Sequence, residues 1–106
     1  MILEDYTKYL SEGNADGVVS LFTENCHFND GGARTINVPD LIADGKDVLR
    51  DSLKAVFGQY KVKAEIVKLN PNSMEYDVIL GDTKLPCIGC ATLKDGLIDE
   101  YIVRPR

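Results

Sequence analysis

Apolar residues at Ile2, Leu3, Tyr6, Tyr9 and Leu10 recur at helical spacing and predict an amphipathic helix over residues 2–12. Gly13 stops it. Asn14 stands where it can cap a second helix over residues 15–23, with Val18, Val19, Leu21 and Phe22 on the buried side. Asp16 falls in that helix's first turn, where a negative charge suits the dipole. Residues 26–30 read as a short extended segment, with Cys26, Phe28 and Asp30 on one face and His27 and Asn29 on the other. Gly31-Gly32 ends it. A loop through residue 44 follows, with a brief strand about residues 35–38, and Pro39 forbids a central strand there. Asp44 is placed to cap a third helix over residues 45–58. Its apolar stripe is Val48, Leu49, Leu53, Val56 and Phe57.

The second half alternates. Residues 60–69 set Val62, Ala64 and Ile66 against Lys61, Lys63 and Glu65, and residues 74–80 set Met74, Tyr76, Val78 and Leu80 against Glu75, Asp77 and Ile79. Residues 70–73, Asn-Pro-Asn-Ser, form a turn by composition, and Gly81-Asp82 and Lys94-Asp95-Gly96 read as hairpin turns. Residues 83–93 form a third long strand, interrupted by Pro86, which implies an edge position or a bulge. Residues 97–103 form the last strand, with Leu97, Asp99, Tyr101 and Val103 sharing a face. Helices first and a meander of strands after them predict an α+β domain.

The chain has 106 residues, room for one domain and one modest core, burying roughly 65% of the unfolded surface. Its net charge is −5, and its basic residues are scattered. A phosphate backbone or an anionic membrane surface is therefore an unfavourable partner. No apolar run approaches the roughly 20 residues of a membrane span, and Glu4 and Asp5 stand where a signal peptide carries Lys or Arg. Three cysteines, an odd number, suit a reducing compartment, so a cytoplasmic location is expected.

Cys87 and Cys90 spell Cys-x-x-Cys, but inside a strand. Three extended residues separate their Cα atoms by about 10 Å, whereas a disulfide tolerates about 7 Å. The two thiols also point to opposite faces. His27 is the one histidine, so no metal site is expected, and it belongs on the outer face of its strand. No glycine-rich phosphate loop or nucleotide fingerprint occurs, and no cofactor is expected.

Residues 13–30, Gly-Asn-Ala-Asp-Gly-Val-Val-Ser-Leu-Phe-Thr-Glu-Asn-Cys-His-Phe-Asn-Asp, resemble the helix-to-strand signature of the nuclear transport factor 2-like superfamily, in particular its SnoaL-like and ketosteroid-isomerase-like members. Gly45-Lys46-Asp47-Val48-Leu49 resembles the start of that family's third helix, and Asp95-Gly96-Leu97-Ile98 its final hairpin. The resemblance implies a cone-shaped barrel of a curved antiparallel sheet packed on three N-terminal helices. It also implies a homodimer through the outer sheet face. It does not imply one activity, because the fold hosts isomerases, cyclases, dehydratases, hydrolases and pure binding proteins.

The resemblance places Asp30 where ketosteroid isomerases carry a general base, a carboxylate within about 3 Å of a carbon acid. Asp before two glycines equally suits a plain turn. Tyr6 matches the spacing of the isomerase phenol that donates to the substrate oxygen, and equally an amphipathic core tyrosine. Asp99 is a candidate acid/base group if its face is concave, as in polyketide-cyclase-like members, and a solvated residue if convex. Where the isomerases carry a neutral aspartic acid in the oxyanion hole, this chain has Gly89. Losing such a donor costs about 3 kcal/mol of barrier. The supporting tyrosines of the third helix are replaced near Ser52 and Leu53.

Phe22, Phe28, Leu53, Phe57, Tyr76, Ala91 and Tyr101 are expected to line or underlie an apolar pocket for a small apolar molecule. Three readings follow. An enzyme brings a carboxylate and a donor together on the cavity, a binding module keeps the cavity without that convergence, and an interaction protein fills its cup and works through an outer apolar patch.

Overall fold

The computed structural model describes all residues, Met1–Arg106. Helix α1 (Ile2–Glu12) buries Leu3, Tyr6 and Leu10 and ends at Gly13, which is left-handed with φ 65°. Asn14 caps α2 (Ala15–Val19), its Oδ1 accepting from the Gly17 N–H at 2.8 Å. The second helix is shorter than its apolar residues predict. Leu21 leaves the helix to accept the Ile98 N–H at 2.8 Å, and Phe22 opens strand β1 (Phe22–Asp30). Val18, Val19 and Phe22 are buried as expected, but the last of them is buried from a strand.

A single 3₁₀ turn, Arg34–Ile36, replaces the brief strand expected about residues 35–38. Strand β2 (Leu41–Asp44) begins two residues after Pro39 and pairs antiparallel with β1. Helix α3 (Lys46–Gln59) is capped by Gly45 without a side-chain bond. Asp44 instead bonds His27 Nδ1 at 2.7 Å on the outer face and raises the imidazole pKa. Leu49 and Leu53 are buried, while Val48 turns to solvent.

Strands β3 (Val62–Leu69), β4 (Ser73–Leu80), β5 (Thr83–Lys94) and β6 (Leu97–Pro105) form the antiparallel meander. The hairpin between β5 and β6 turns on Asp95 and Gly96, both at positive φ as a type I′ turn requires. The whole sheet runs β2-β1-β6-β5-β4-β3, is curved and does not close into a barrel. It is mixed rather than wholly antiparallel, because β1 lies parallel to β6. The long connection through α3 and the meander permits that pairing, which a two-residue turn does not.

Pro86 lies inside β5, without a bulge at that point. Its carbonyl accepts the Arg106 N–H at 3.1 Å, so its nitrogen faces the same side, where β6 has just ended. The missing N–H therefore faces the end of β6, and the ladder within that strand is left intact. The bulge falls between Thr92 and Leu93. On the edge strand β3, Val62 is buried but Ile66 and Val67 are exposed, at a bulge between Ile66 and Lys68. Ser11 of α1 covers that edge by accepting the Ala64 N–H at 3.0 Å.

The helices lie over the concave face and bury one cluster. Tyr6 meets Tyr101 at a ring-centroid distance of 4.9 Å, and Phe22 and Phe28 pack edge to face at 6.0 Å. Edge-to-face geometry suits the ring quadrupoles and adds to the apolar area removed from water. Cys87 is buried and Cys90 exposed, on opposite faces of β5, and both are free thiols with Cys26. No helix is long and apolar enough to cross a membrane.

Candidate functional site

Between α1, α3 and the ends of β1, β4 and β5 the structure leaves an apolar cavity of about 120 Å³. Tyr6 and Leu10 of α1, Leu53, Val56 and Phe57 of α3, and Phe28 of β1 form much of its wall. The loop between β1 and β2 adds Gly32, Ala33, Val38 and Pro39. No Lys or Arg lines it, and its only carboxylate is Asp30.

Asp30 ends β1 on the concave face, as the alternation predicts. Its Oδ1 accepts the Gly32 N–H at 2.8 Å, and Oδ2 has no protein hydrogen bond. The residue is half-buried and lines the cavity. Burial raises the Asp30 pKa first, and the nearby charge of Asp40 adds to it; the Gly32 N–H and the Arg104 guanidinium work against them. Arg104 does not pair with Asp30. Its Nη1 donates to Asn29 Oδ1 at 2.9 Å and to the Val103 carbonyl at 2.7 Å. The turn reading of Asp30 therefore describes one of its oxygens, while the second stays available.

Tyr6 is buried and lines the same cavity. Burial pushes its pKa well above the ordinary phenol value, against a hydrogen bond with Tyr76 that works the other way, so the hydroxyl keeps its proton. The charge of Asp30 adds to that rise, which places the carboxylate and the phenol in one electrostatic neighbourhood.

Cys87 is a further group on the wall that the sequence did not mark as a pocket residue. Its thiol donates to the Leu85 carbonyl at 3.3 Å, and burial together with the Asp30 charge pushes its pKa up to about 12. It stays a protonated, weakly polar surface rather than a nucleophile. Gly32 is confined between these two groups. A Cβ there would stand 2.7 Å from Cys87 Sγ and 3.0 Å from Asp30 Oδ1.

Phe28, Leu53 and Phe57 line the cavity, while Phe22, Tyr76, Ala91 and Tyr101 lie in the core behind it. The Tyr101 hydroxyl donates to the Tyr76 hydroxyl at 3.2 Å. A Cβ on Gly89 would stand 2.0 Å from the Tyr101 hydroxyl. The space left by the missing side chain at Gly89 is thus taken by a phenol from the neighbouring strand. Asp99 stands apart. It accepts a hydrogen bond from Thr23 Oγ1 at 2.7 Å and does not reach the cavity wall. Ile98 turns inward ahead of Tyr101, so the last strand does not keep one alternating face from Leu97 to Val103. A bulge opposite Thr92 and Leu93 shifts it. Leu80, Leu85, Tyr60 and Val62 also line the cavity, and strand alternation with the turn positions could have named Leu80 and Val62. No three His, Cys, Asp or Glu side chains come together as a metal site requires.

No protein-family model matches the chain, and no curated protein does. Solved structures do. A putative polyketide cyclase from Sinorhizobium meliloti matches with a TM-score of 0.77 at 16% identity, covering 97% of this chain and 93% of that one. An NTF2-like protein of unknown function from Cytophaga hutchinsonii matches at 0.75 and 16% identity, over 99% of this chain and 87% of that one. A protein of ketosteroid isomerase-like fold from Catenulispora acidiphila, crystallised with trimethylamine, matches at 0.75 and 11% identity, over 97% and 83%. At these identities the likeness shows the architecture: the chain has the α+β fold of the nuclear transport factor 2-like and ketosteroid-isomerase-like proteins.

Proposed function

We propose that the cup binds a small, mostly apolar carbonyl compound and moves a proton on the carbon next to the carbonyl. Asp30 is the base and Tyr6 the donor. The observation that supports this is their convergence: an unpaired carboxylate oxygen and a protonated phenol share the wall of one apolar cavity. In the ionised form Asp30 takes the α-proton, and the C–H electron pair moves to form an enolate. The Tyr6 hydroxyl donates to the oxygen on which charge develops, where a fixed donor in a dry site is most effective. The protonated Asp30 then returns the proton to the same or a conjugated carbon. Its raised pKa makes it a stronger base than an exposed carboxylate and suits both steps.

The test is deuterium exchange of 2-cyclohexenone and related small cyclic ketones in heavy water, followed by NMR. The wild-type chain is expected to exchange the α-proton faster than buffer, and Asp30→Asn to remove the effect. Binding without exchange supports the second reading, a binding module. The single donor on the wall favours that reading, since Tyr101 and Tyr76 bond each other behind it.

We also propose a homodimer through the convex sheet face. Ile88, Ile102, Ile42 and Cys90 are exposed there, with Arg104 and Glu75 flanking Ile88 in register. An isologous interface needs both signs within one patch, and this strip carries them. A monomer by sedimentation at micromolar concentration would refute the dimer.

A further inference from the structure

The loop of residues 31–40 leaves β1 at Asp30 and returns into β2 at Leu41, and those two residues are register partners. Its ends are therefore adjacent, as in an Ω-loop. Ala33, Val38 and Pro39 line the cavity, and Ile36 does not. Its two arms are clamped by one ion pair. Arg34 Nε donates to Asp40 Oδ1 at 2.8 Å, and Arg34 Nη2 donates to Asp40 Oδ2 at 2.6 Å. This fork-on-carboxylate geometry fixes orientation as well as distance. It also crosses Gly31 closely: a Cβ there would stand 2.7 Å from Arg34 Nε and 2.9 Å from Asp40 Oδ1. A glycine at that place lets the clamp seat over the backbone.

The same loop reaches the reacting group. Gly32, one of its first residues, supplies the only protein hydrogen bond to the Asp30 carboxylate. Moving the loop therefore moves a cavity wall and the carboxylate's one fixed donor together.

We propose that residues 31–40 are a gate latched by Arg34 and Asp40, and that the latched gate restricts the cup to an occupant the size of a single ring and without negative charge. This rests on the ligand-binding reading of the cup given above. The cavity of about 120 Å³ is of the same order as the roughly 150 Å³ void that takes up benzene, so it matches one ring, and a fused polycycle needs the loop to move. The wall carries no cation, and an anionic ligand would meet Asp30 unpaired. A latch exposed to solvent adds little to global stability, so cutting it releases the gate without unfolding the chain.

The test uses the full chain and three variants: Arg34→Gln, Asp40→Asn and Gly31→Ala, the last displacing the clamp while keeping both charges. Amide hydrogen exchange without ligand is expected to quicken at least tenfold over residues 32–40 in each variant and to stay unchanged in β4 to β6. Binding of 2-cyclohexenone and of a four-ring steroid enone is then measured by calorimetry. The wild type is expected to bind the single ring and reject the steroid. The variants are expected to gain at least tenfold in steroid affinity and to release the single ring faster. Unchanged loop exchange and unchanged size preference in all three variants would overturn the gate. So would a wild type that binds both probes equally, which leaves the ligand cup standing. If no probe binds any variant, the cup reading itself fails, and the gate with it.

Discussion

Asp30 and Asp77 are two carboxylates withdrawn from bulk water on opposite faces of one sheet, and they are treated in opposite ways. Asp77, 8% exposed on the convex side of β4, accepts from Arg106 Nη2 at 3.1 Å and lies 3.5 Å from Lys84 Nζ. Asp30, on the concave side, has one backbone N–H and no cation in contact, since Arg104 bonds Asn29 and Val103 instead. A carboxylate serving only the fold is paired, because an unpaired buried charge costs stability. One left unpaired at the edge of an apolar hollow is a candidate for work on a ligand. The difference comes from placement in the strand. Asp77 is flanked across the ladder by Pro86 beside Lys84, whereas Asp30 sits where β1 gives way to the gate.

The largest effect that would break this comparison is on chemistry. Asp30→Asn is expected to lower α-proton exchange at least a hundredfold, within the usual range for removing a general base. Asp77→Asn should leave the rate per folded molecule unchanged. Equal losses in the two variants would mean that neither carboxylate is special. Tyr6→Phe should cost about tenfold to a hundredfold, less than Asp30→Asn, because a water entering the cavity can replace part of a lost donor.

Next in size is a change to the floor of the cup. Gly89→Ala would drive a methyl group into the Tyr101 hydroxyl, 2.0 Å from an ideal Cβ. Overpacking of this kind costs about 1–3 kcal/mol, measurable by urea denaturation. Gly89→Ala with Tyr101→Phe frees that space in part, and the double variant should recover stability relative to the sum of the single changes. Full additivity of the two would show that the phenol does not occupy the Gly89 space.

Residue pattern revealed much of this arrangement. The apolar spacing of α1, the Asn14 cap and the outward His27 and inward Asp30 all follow from local periodicity. So do the opposite faces of Cys87 and Cys90. What it could not reveal depends on partners distant in the chain. The early end of α2 is set by a hydrogen bond from Ile98, and the parallel pairing of β1 with β6 has no local signature. Strand β2 lies hidden behind Pro39 in a stretch that reads as loop. Asp99 shows the limit most plainly. Alternation puts it beside Tyr101, but a bulge re-aims the strand, and the carboxylate bonds Thr23 instead. Gly89 reads in sequence as a lost donor. Only the packed structure shows that Tyr101 fills its place.

The smallest effects carry the sharpest contrast, because the same chemical change should have opposite signs at the two sites. Asp77→Asn leaves Arg106 facing a neutral amide and should cost about 1–2 kcal/mol. Asp30→Asn should add stability at neutral pH, about 1 kcal/mol, as is common when a strained functional group is neutralised. The sign follows from proton linkage. Burial raises the Asp30 pKa in the folded chain, so the folded state holds that proton more tightly than the unfolded state. Stability contributed by this residue is full below the unfolded carboxylate pKa and is lost as the pH rises through the folded one. The amide keeps the Gly32 hydrogen bond and never ionises. The stabilisation by Asp30→Asn should therefore be present at pH 7 and vanish on acidification below the carboxylate range, as read by thermal melts across pH. A gain that persists at low pH would assign the effect to packing and leave Asp30 no more burdened by its charge than Asp77.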